Sequence, residues 1–287
     1  MTGFDVVTSS DQGYAFFLSG LSWSVRRFLD KKLVVYDLGL KDTSKEGLDA
    51  TFVPVRVKIP SYREMNAENC IRATHKPACI LDWLSKTRRP FIFLDADCLV
   101  AAPFVFPMTQ VGLTFKHYAE QTSEDFQKNG VINAGVMFFN PGQGKARANL
   151  ERFIQNWLNR CERDAQITDQ LAMSDLLIDE AGFVPGQWVC DWEGLKIGIL
   201  PSEKYNDIRQ KTGAVYHFKC AFRQEKKRES YFDDLDRLKN RYIGFRFSLI
   251  LNRWALVVKK LVRPGKYRFR YVRAWAKYQA IRGRHIS

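Results

Sequence analysis

Pro90-Phe91-Ile92-Phe93-Leu94-Asp95-Ala96-Asp97-Cys98-Leu99-Val100 is a run of bulky apolar residues that breaks off in two carboxylates. A short, nearly all-apolar run is the pattern of a strand buried on both faces of a parallel sheet. Ligands of such sheets sit beyond the strands' carboxyl ends. Asp95 and Asp97 therefore belong at that edge. Residues two apart in an extended backbone point to the same side, so the two carboxylates are expected to converge on one hard, oxygen-preferring cation. One Asp capping a helix and one merely solvated would give the same pattern, so residues elsewhere in the chain have to decide.

Upstream, Asp5-Val6-Val7-Thr8-Ser9-Ser10 reads as a first strand. The loop Asp11-Gln12-Gly13-Tyr14 leads into a helix in which Phe17, Leu18, Leu21 and Val25 recur at helical spacing, and Lys32 to Asp37 reads as a second strand. A strand, a helix and a strand in succession predict a βαβ unit and hence a parallel sheet. Asp11 and Tyr14 then fall at its ligand-binding edge, where an aromatic ring stacks on a base and an acid accepts a hydrogen bond from one. Phe52 to Val55 is a short extended piece, and a helix around Cys79 to Leu84 feeds the Asp95 strand, with Arg72 and Lys76 ahead of or within it as cations for a phosphate.

Downstream, Val111 to Phe115 reads as a strand. Gly130 to Pro141 holds a second one, which Ile132-Asn133-Ala134-Gly135-Val136 begins. Glycine weakens a strand without a packing return, so Gly135 suggests a backbone that another group approaches closely. Glu151 to Arg163 is an amphipathic helix, and Asp169 opens another over Gln170 to Ile178 as a cap or first-turn acid. Gly194 to Leu200 is a strand, Tyr205-Asn206 a loop, and Ala214 to Phe218 a last short strand holding His217. An imidazole beside two carboxylates suits manganese.

The chain has 287 residues, 46% hydrophobic, and a net charge of +14. That is enough for one large α/β domain with an appendage, and the hydrophobic content argues against disorder. Fourteen of the 45 Lys and Arg lie between Leu238 and the end with no Asp or Glu, leaving 31 basic against 31 acidic residues for the neutral body. The six cysteines are scattered without Cys-x-x-Cys spacing, as small core residues would be. With no signal-peptide pattern at Met1 to Val7 and no long uncharged apolar stretch, a reduced cytoplasmic protein without a membrane span is expected.

Taken together and in this order, the pieces resemble the metal-dependent nucleotide-sugar glycosyltransferases of the GT-A fold, in particular glycosyltransferase family 8 with its bacterial lipooligosaccharide galactosyltransferases. Ser10 to Ala15 is similar to that family's nucleobase loop, Phe93 to Asp97 to its Asp-x-Asp metal motif, Ile132 to Val136 to its donor-sugar strand, and Asp169-Gln170 to its Asp-Gln pair beside the anomeric carbon. His217 resembles the third protein metal ligand. The family's Gly and Lys after that His are Cys220 and Arg223 here. The resemblance covers residues 3 to about 225. It implies a mostly parallel mixed sheet flanked by helices, manganese or magnesium on Asp95, Asp97 and His217, and a UDP-sugar donor held by Asp11, Tyr14, Lys76, Asp95, Ala96, Asn133, Ala134 and Arg223. It also implies transfer with retention, Asp169 or Gln170 lying by the reacting face.

Two other readings compete. A haloacid dehalogenase-type phosphatase also sets Asp-x-Asp after an apolar strand, but near the N-terminus and with a different continuation. A nucleic-acid-binding protein would use the basic aromatic tail; the neutral body speaks against it, and no specific nucleic acid partner is expected. A division into a transferase domain, 1–240, and a basic amphipathic helical tail, 241–287, follows from the charge. At 100° per residue, Phe247, Ile250, Leu251, Trp254, Val258 and Leu261 share one face, with Arg246, Arg253, Lys259, Lys260 and Arg263 opposite. After Pro264-Gly265 the arrangement repeats with Tyr267, Tyr271, Trp275 and Tyr278. Such a tail lies flat on an anionic bilayer, which points to peripheral attachment at the inner face of the cell membrane and a lipid-linked glycan acceptor, of lipopolysaccharide, lipooligosaccharide or capsule.

Overall fold

Eight strands form one mixed sheet in the order β3-β2-β1-β4-β7-β6-β9-β8, where β1 is Asp5–Ser10, β2 Leu33–Asp37, β3 Ala50–Pro54, β4 Phe91–Leu94, β6 Val111–Phe115, β7 Ile132–Phe139, β8 Val189–Trp192 and β9 Leu195–Leu200. The structure is a computed structural model that describes residues 3–55, 75–115, 130–163, 167–184, 187–208 and 211–262. Pairings β1/β2, β2/β3, β1/β4 and β6/β9 are parallel, whereas β7 runs antiparallel to both of its neighbours. A separate two-stranded ribbon joins β5, Cys98–Val100, to β10, Val215–His217.

Strand alternation divides the core in two. Val7, Phe91 and Phe93 face a cluster built with α2 (His75–Lys86), α3 (Lys145–Arg163) and α4 (Asp169–Glu180). Val6, Ile92 and Leu94 face the other way, onto α1 (Ala15–Leu29), the ribbon, α6 (Glu225–Asn240) and α7 (Tyr242–Val262). With both faces covered, β1, β4 and β7 are buried along their whole length; β4 is accordingly an uninterrupted apolar run and β7 departs from one at Asn133, whereas β1 buries Asp5, Thr8, Ser9 and Ser10 beside its two valines.

Several expected elements extend further than the sequence suggested. α2 begins at His75, α3 at Lys145 and α4 at Asp169, whose cap is Thr168: its side chain accepts the Leu171 N–H. Asp169 is thus the first-turn acid. The short helix α5, Ser202–Tyr205, stands where a loop was expected, and β8 was not anticipated. Nor was α6, although Tyr231, Leu235 and Leu238 recur at helical spacing and bury against α1. That contact is close: the Tyr231 hydroxyl donates to Phe17 C=O at 2.7 Å, over a glycine, Gly20, at which a Cβ would meet it at 2.3 Å. Cys79, Cys98, Cys161 and Cys190 are free and buried, as expected of core residues; Cys220 is half-buried and Cys70 lies outside the described residues.

α7 has two faces of different kind. Phe245 and Leu249 bury into the body, Phe245 with its ring 6.1 Å from that of Tyr216. Asn252 Nδ2 and Arg253 Nε donate to the carbonyls of Lys211 and Thr212, so Arg253, expected on the basic face of the membrane-associating helix, is committed to the body. The outer side leaves Ile243, Phe247, Ile250, Leu251, Trp254 and Val258 exposed, Trp254 by 67%. Residues 242–262 include the first of the two expected amphipathic segments; the second, with Tyr267 to Tyr278, lies outside the described residues. Among the described residues no helix is long and apolar enough to cross a membrane.

Candidate active site

β1 has β2 on one side and β4 on the other, so the crossovers diverge and a crevice opens at the carboxyl ends of β1 and β4. Asp11 follows β1 and Asp95 follows β4. The two acids of Asp95-Ala96-Asp97 do not converge by strand alternation, as the sequence suggested. The chain turns there: Cys98 N–H donates to Asp95 C=O at 3.0 Å while Asp95 N–H donates to Gly135 C=O at 2.8 Å. The reason is that β5 leaves the large sheet to pair with β10. This antiparallel pairing sets His217 opposite Cys98, with Phe218 N–H on Asp97 C=O at 3.0 Å. Ala96 is buried within the turn.

His217 Nε2 lies 3.4 Å from Asp97 Oδ1 and 3.6 Å from Asp95 Oδ2, longer than a hydrogen bond in either case. Its Nδ1 is 2.9 Å from Asn206 Oδ1. Asn206 Nδ2 donates to Thr114 Oγ1 at 2.7 Å, which fixes the amide so that its oxygen faces the ring, and Nδ1 must be the protonated nitrogen. Nε2 then offers a lone pair between two carboxylates. Sequence reasoning left Asn206 in a loop without a role; it is fully buried, and a buried Asn beside a short His-bearing strand was the available signal.

Gly135 makes room for this imidazole. A Cβ at position 135 would stand 2.2 Å from His217 Cε1, so the close approach inferred from the glycine is that of His217. Asn133 Oδ1 accepts the Gly135 N–H at 3.0 Å, whereas Asn133 Nδ2 is buried with no partner among the described residues. Gln170 Oε1, on the first turn of α4, is likewise buried and without a donor.

Lys76, expected near a donor phosphate, is buried between carboxylates. Its Nζ lies 2.7 Å from Asp95 Oδ1 and 2.7 Å from Asp169 Oδ2, and donates to Ala134 C=O at 3.1 Å. Three donors meet three acceptors, so a bound donor would have to take over one of these contacts. Burial by itself lowers the Lys76 pKa; Asp169 and Asp95 outweigh it and hold the ammonium above its ordinary value. Arg72 lies outside the described residues.

Tyr14 closes the first-strand side. Asp11 Oδ1 accepts the Tyr14 N–H at 3.2 Å in a 3-10 turn, and the Tyr14 ring stacks on Phe222, centroids 5.3 Å apart. Burial, then the charges of Asp97 and Asp95, push its phenol up, while Arg223, exposed on the adjoining loop, opposes them. That loop holds Cys220 at φ 67°, the left-handed conformation a glycine would adopt, so the turn after His217 survives the loss of the glycine.

Asp97, 3% exposed, His217 and Asp95 form a donor set of two carboxylates and one imidazole, gathered without hydrogen bonds to one another. Asp97, Cys98 and His217 lie close enough together to hold one ion; burial pushes the Cys98 thiol up and it donates to Gly135 C=O at 3.6 Å, so the carboxylate oxygens and the imidazole nitrogen are the ligands, of the kind manganese or magnesium accepts. The residues present fit a divalent cation.

No protein-family model and no curated protein matches the sequence. The structure superposes on the crystal structure of the galactosyltransferase LgtC in complex with donor and acceptor sugar analogs, with a TM-score of 0.51 and 14% identity over 84% of this chain and 100% of that one. The chain has the GT-A fold. Two further structures fall below a TM-score of 0.5 and carry no weight: an active-site mutant of LgtC, at 0.49 and 13% identity over 80% of this chain and 94% of that one, and the bifunctional glycosyltransferase WbbM, at 0.48 and 14% identity over 76% of this chain. The chain spans only 46% of the WbbM structure. In this GT-A chain Asp95 follows the fourth strand, not the first.

Proposed function

We propose that this chain is a glycosyltransferase that moves a sugar, a hexose, from a UDP-sugar to a glycan acceptor, with a divalent cation on Asp95, Asp97 and His217. The observation that carries the reading is the orientation of His217: Asn206 holds Nδ1, and the free Nε2 faces two carboxylates at the switch point of a GT-A sheet. A cation bound there supplies positive charge to offset the negative charge that grows on the departing diphosphate.

The chain's own residues divide the remaining work. Asp11 and Tyr14 receive the base at the end of β1, and Arg223 meets the diphosphate with a guanidinium fork. Asn133 Nδ2 and Gln170 Oε1, a buried donor and a buried acceptor left open, are matched by hydroxyls of the donor sugar; an unsatisfied buried group costs roughly 1–3 kcal/mol. Lys76 holds Asp95 and Asp169 in place, beside the carbonyl of Ala134 and the Ala96 turn. Asp169 or Gln170 then stands near the reacting face of the sugar, and transfer proceeds with retention.

The acceptor is a lipid-linked glycan, of lipopolysaccharide, lipooligosaccharide or capsule, met at the cytoplasmic face of the cell membrane. The exposed apolar side of α7 and the cationic tail support this, since a basic amphipathic helix binds an anionic interface. Residues 1–240 would then carry catalysis and residues 241–287 attachment.

A thermal-shift screen of UDP-, GDP-, CMP- and dTDP-sugars with manganese tests the donor; stabilisation by UDP-sugars alone is expected. Calorimetry with UDP tests the cation, and an affinity that manganese leaves unchanged would overturn the metal bridge. Product analysis showing inversion would remove the retaining mechanism and leave the donor site standing.

A further inference from the structure

A cleft of about 250 Å3 lies where α6, α7 and the segment before β10 meet, away from the carboxylates of the active site. Lys211, Arg237 and Arg241 bring three cations to it, and Tyr216, Phe245 and Leu249 form its apolar wall. Its single acid, Asp234, is buried and paired with Lys211 Nζ at 2.8 Å; Arg237 stands 3.9 Å from it. Arg241 has no ion-pair partner among the described residues. After Asp234 and Lys211 cancel, two guanidinium groups remain on one small opening. The volume is below the roughly 300 Å3 at which pockets for drug-sized ligands begin, so a phosphate with a small polyol fits and a nucleotide sugar does not.

The two sides of α7 give the depth of this cleft relative to a bilayer. Gly244, Phe245, Ser248 and Leu249 line it, while Ile243, Phe247, Ile250 and Trp254 point about half a turn of the helix away, into solvent. A helix is about 10–12 Å across, and an interfacial helix sinks its apolar side roughly 5–10 Å into the headgroup and acyl boundary. Its inner side is then level with the lipid phosphates.

We infer that the cleft between α6 and α7 is a binding site for the phosphate of an anionic lipid headgroup, read by the Arg237 and Arg241 guanidinium groups. This rests on the membrane reading of α7 given above. Arg forks phosphate oxygens with paired N–H groups, which a lysine cannot do.

The test uses the full chain and variants that keep its charge. Gly244→Leu narrows the cleft at a helical position where a Cβ meets nothing within 4 Å, and Arg237→Lys/Arg241→Lys removes the forks. Each is expected to weaken binding to vesicles of phosphatidylcholine and phosphatidylglycerol about tenfold, as lost hydrogen bonds to a charged group do. Phe247→Ser/Trp254→Ser reports separately on the apolar side. If that pair loses binding while both charge-conserving variants bind as the native chain does, the headgroup site is overturned and the membrane reading stands. A native chain that ignores these vesicles at low salt overturns both. Inorganic phosphate that stabilises the native chain but not Gly244→Leu, with equal vesicle affinity for the two, overturns the lipid as the source.

Discussion

The His217 imidazole rests directly on the backbone of Gly135, where a single methyl group would lie 2.2 Å from Cε1. One ligand of the candidate metal centre therefore depends on a glycine in a different strand. Gly135→Ala is expected to destabilise the fold by about 1–3 kcal/mol through overpacking and to remove manganese-dependent UDP binding. Denaturant unfolding and calorimetry check this, and Gly135→Ala combined with His217→Ala should recover stability but not metal binding.

Asn206 fixes which nitrogen of His217 faces the carboxylates. Asn206→Ala leaves Nδ1 without its acceptor, and metal affinity is expected to fall about 10–100-fold, as for other partners that orient a metal-binding His. A manganese titration measures it. An unchanged affinity would mean that the tautomer is set elsewhere.

Among the described residues Asp97 faces the His217 imidazole, while Asp95 divides its oxygens between His217 and the Lys76 ammonium. Asp97→Asn is expected to abolish transfer without unfolding the protein, and Asp95→Asn to reduce it severely. The Asp95 variant should also lose stability, because Lys76 then keeps one carboxylate of two. Turnover and unfolding measured on the same preparations separate these effects.

Lys76 joins α2 to the β4 edge and to α4 through two buried ion pairs. Lys76→Met leaves two carboxylates uncompensated and is expected to cost about 3–5 kcal/mol. Because the folded pKa is raised, the stabilisation is fully present below the ordinary lysine value of about 10.4 and is lost as pH rises through the folded pKa. Unfolding free energies should therefore differ between native chain and variant by a constant amount from neutral pH to about pH 10, and converge only above it.

Much of the frame was written locally. Burial of β4 on both faces gives its uninterrupted apolar run, and the helical spacing of Phe17, Leu18, Leu21 and Val25 follows from one face of α1 meeting the sheet. These are properties of backbone period and burial, which a sequence shows directly. α6 carried the same signal in Tyr231, Leu235 and Leu238, masked by the charges that fill its outer side.

The chemistry of the site was only partly local. Residue types at the ends of runs marked Asp95, Asp97, Asn133 and His217, but their relations come from contacts between segments far apart in the chain. The turn at Asp95 exists because β5 pairs with β10, more than a hundred residues later. The orientation of His217 depends on Asn206, Thr114 and Gly135, and the charge balance of Asp95 on Lys76 and Asp169. On α7 the sequence by itself determined the outer stripe of Phe247, Ile250 and Trp254, since amphipathic spacing is a property of one helix. Only the tertiary structure decided that Phe245, Leu249 and Arg253 belong to the body, because which side of a two-faced helix is buried depends on the surface it meets.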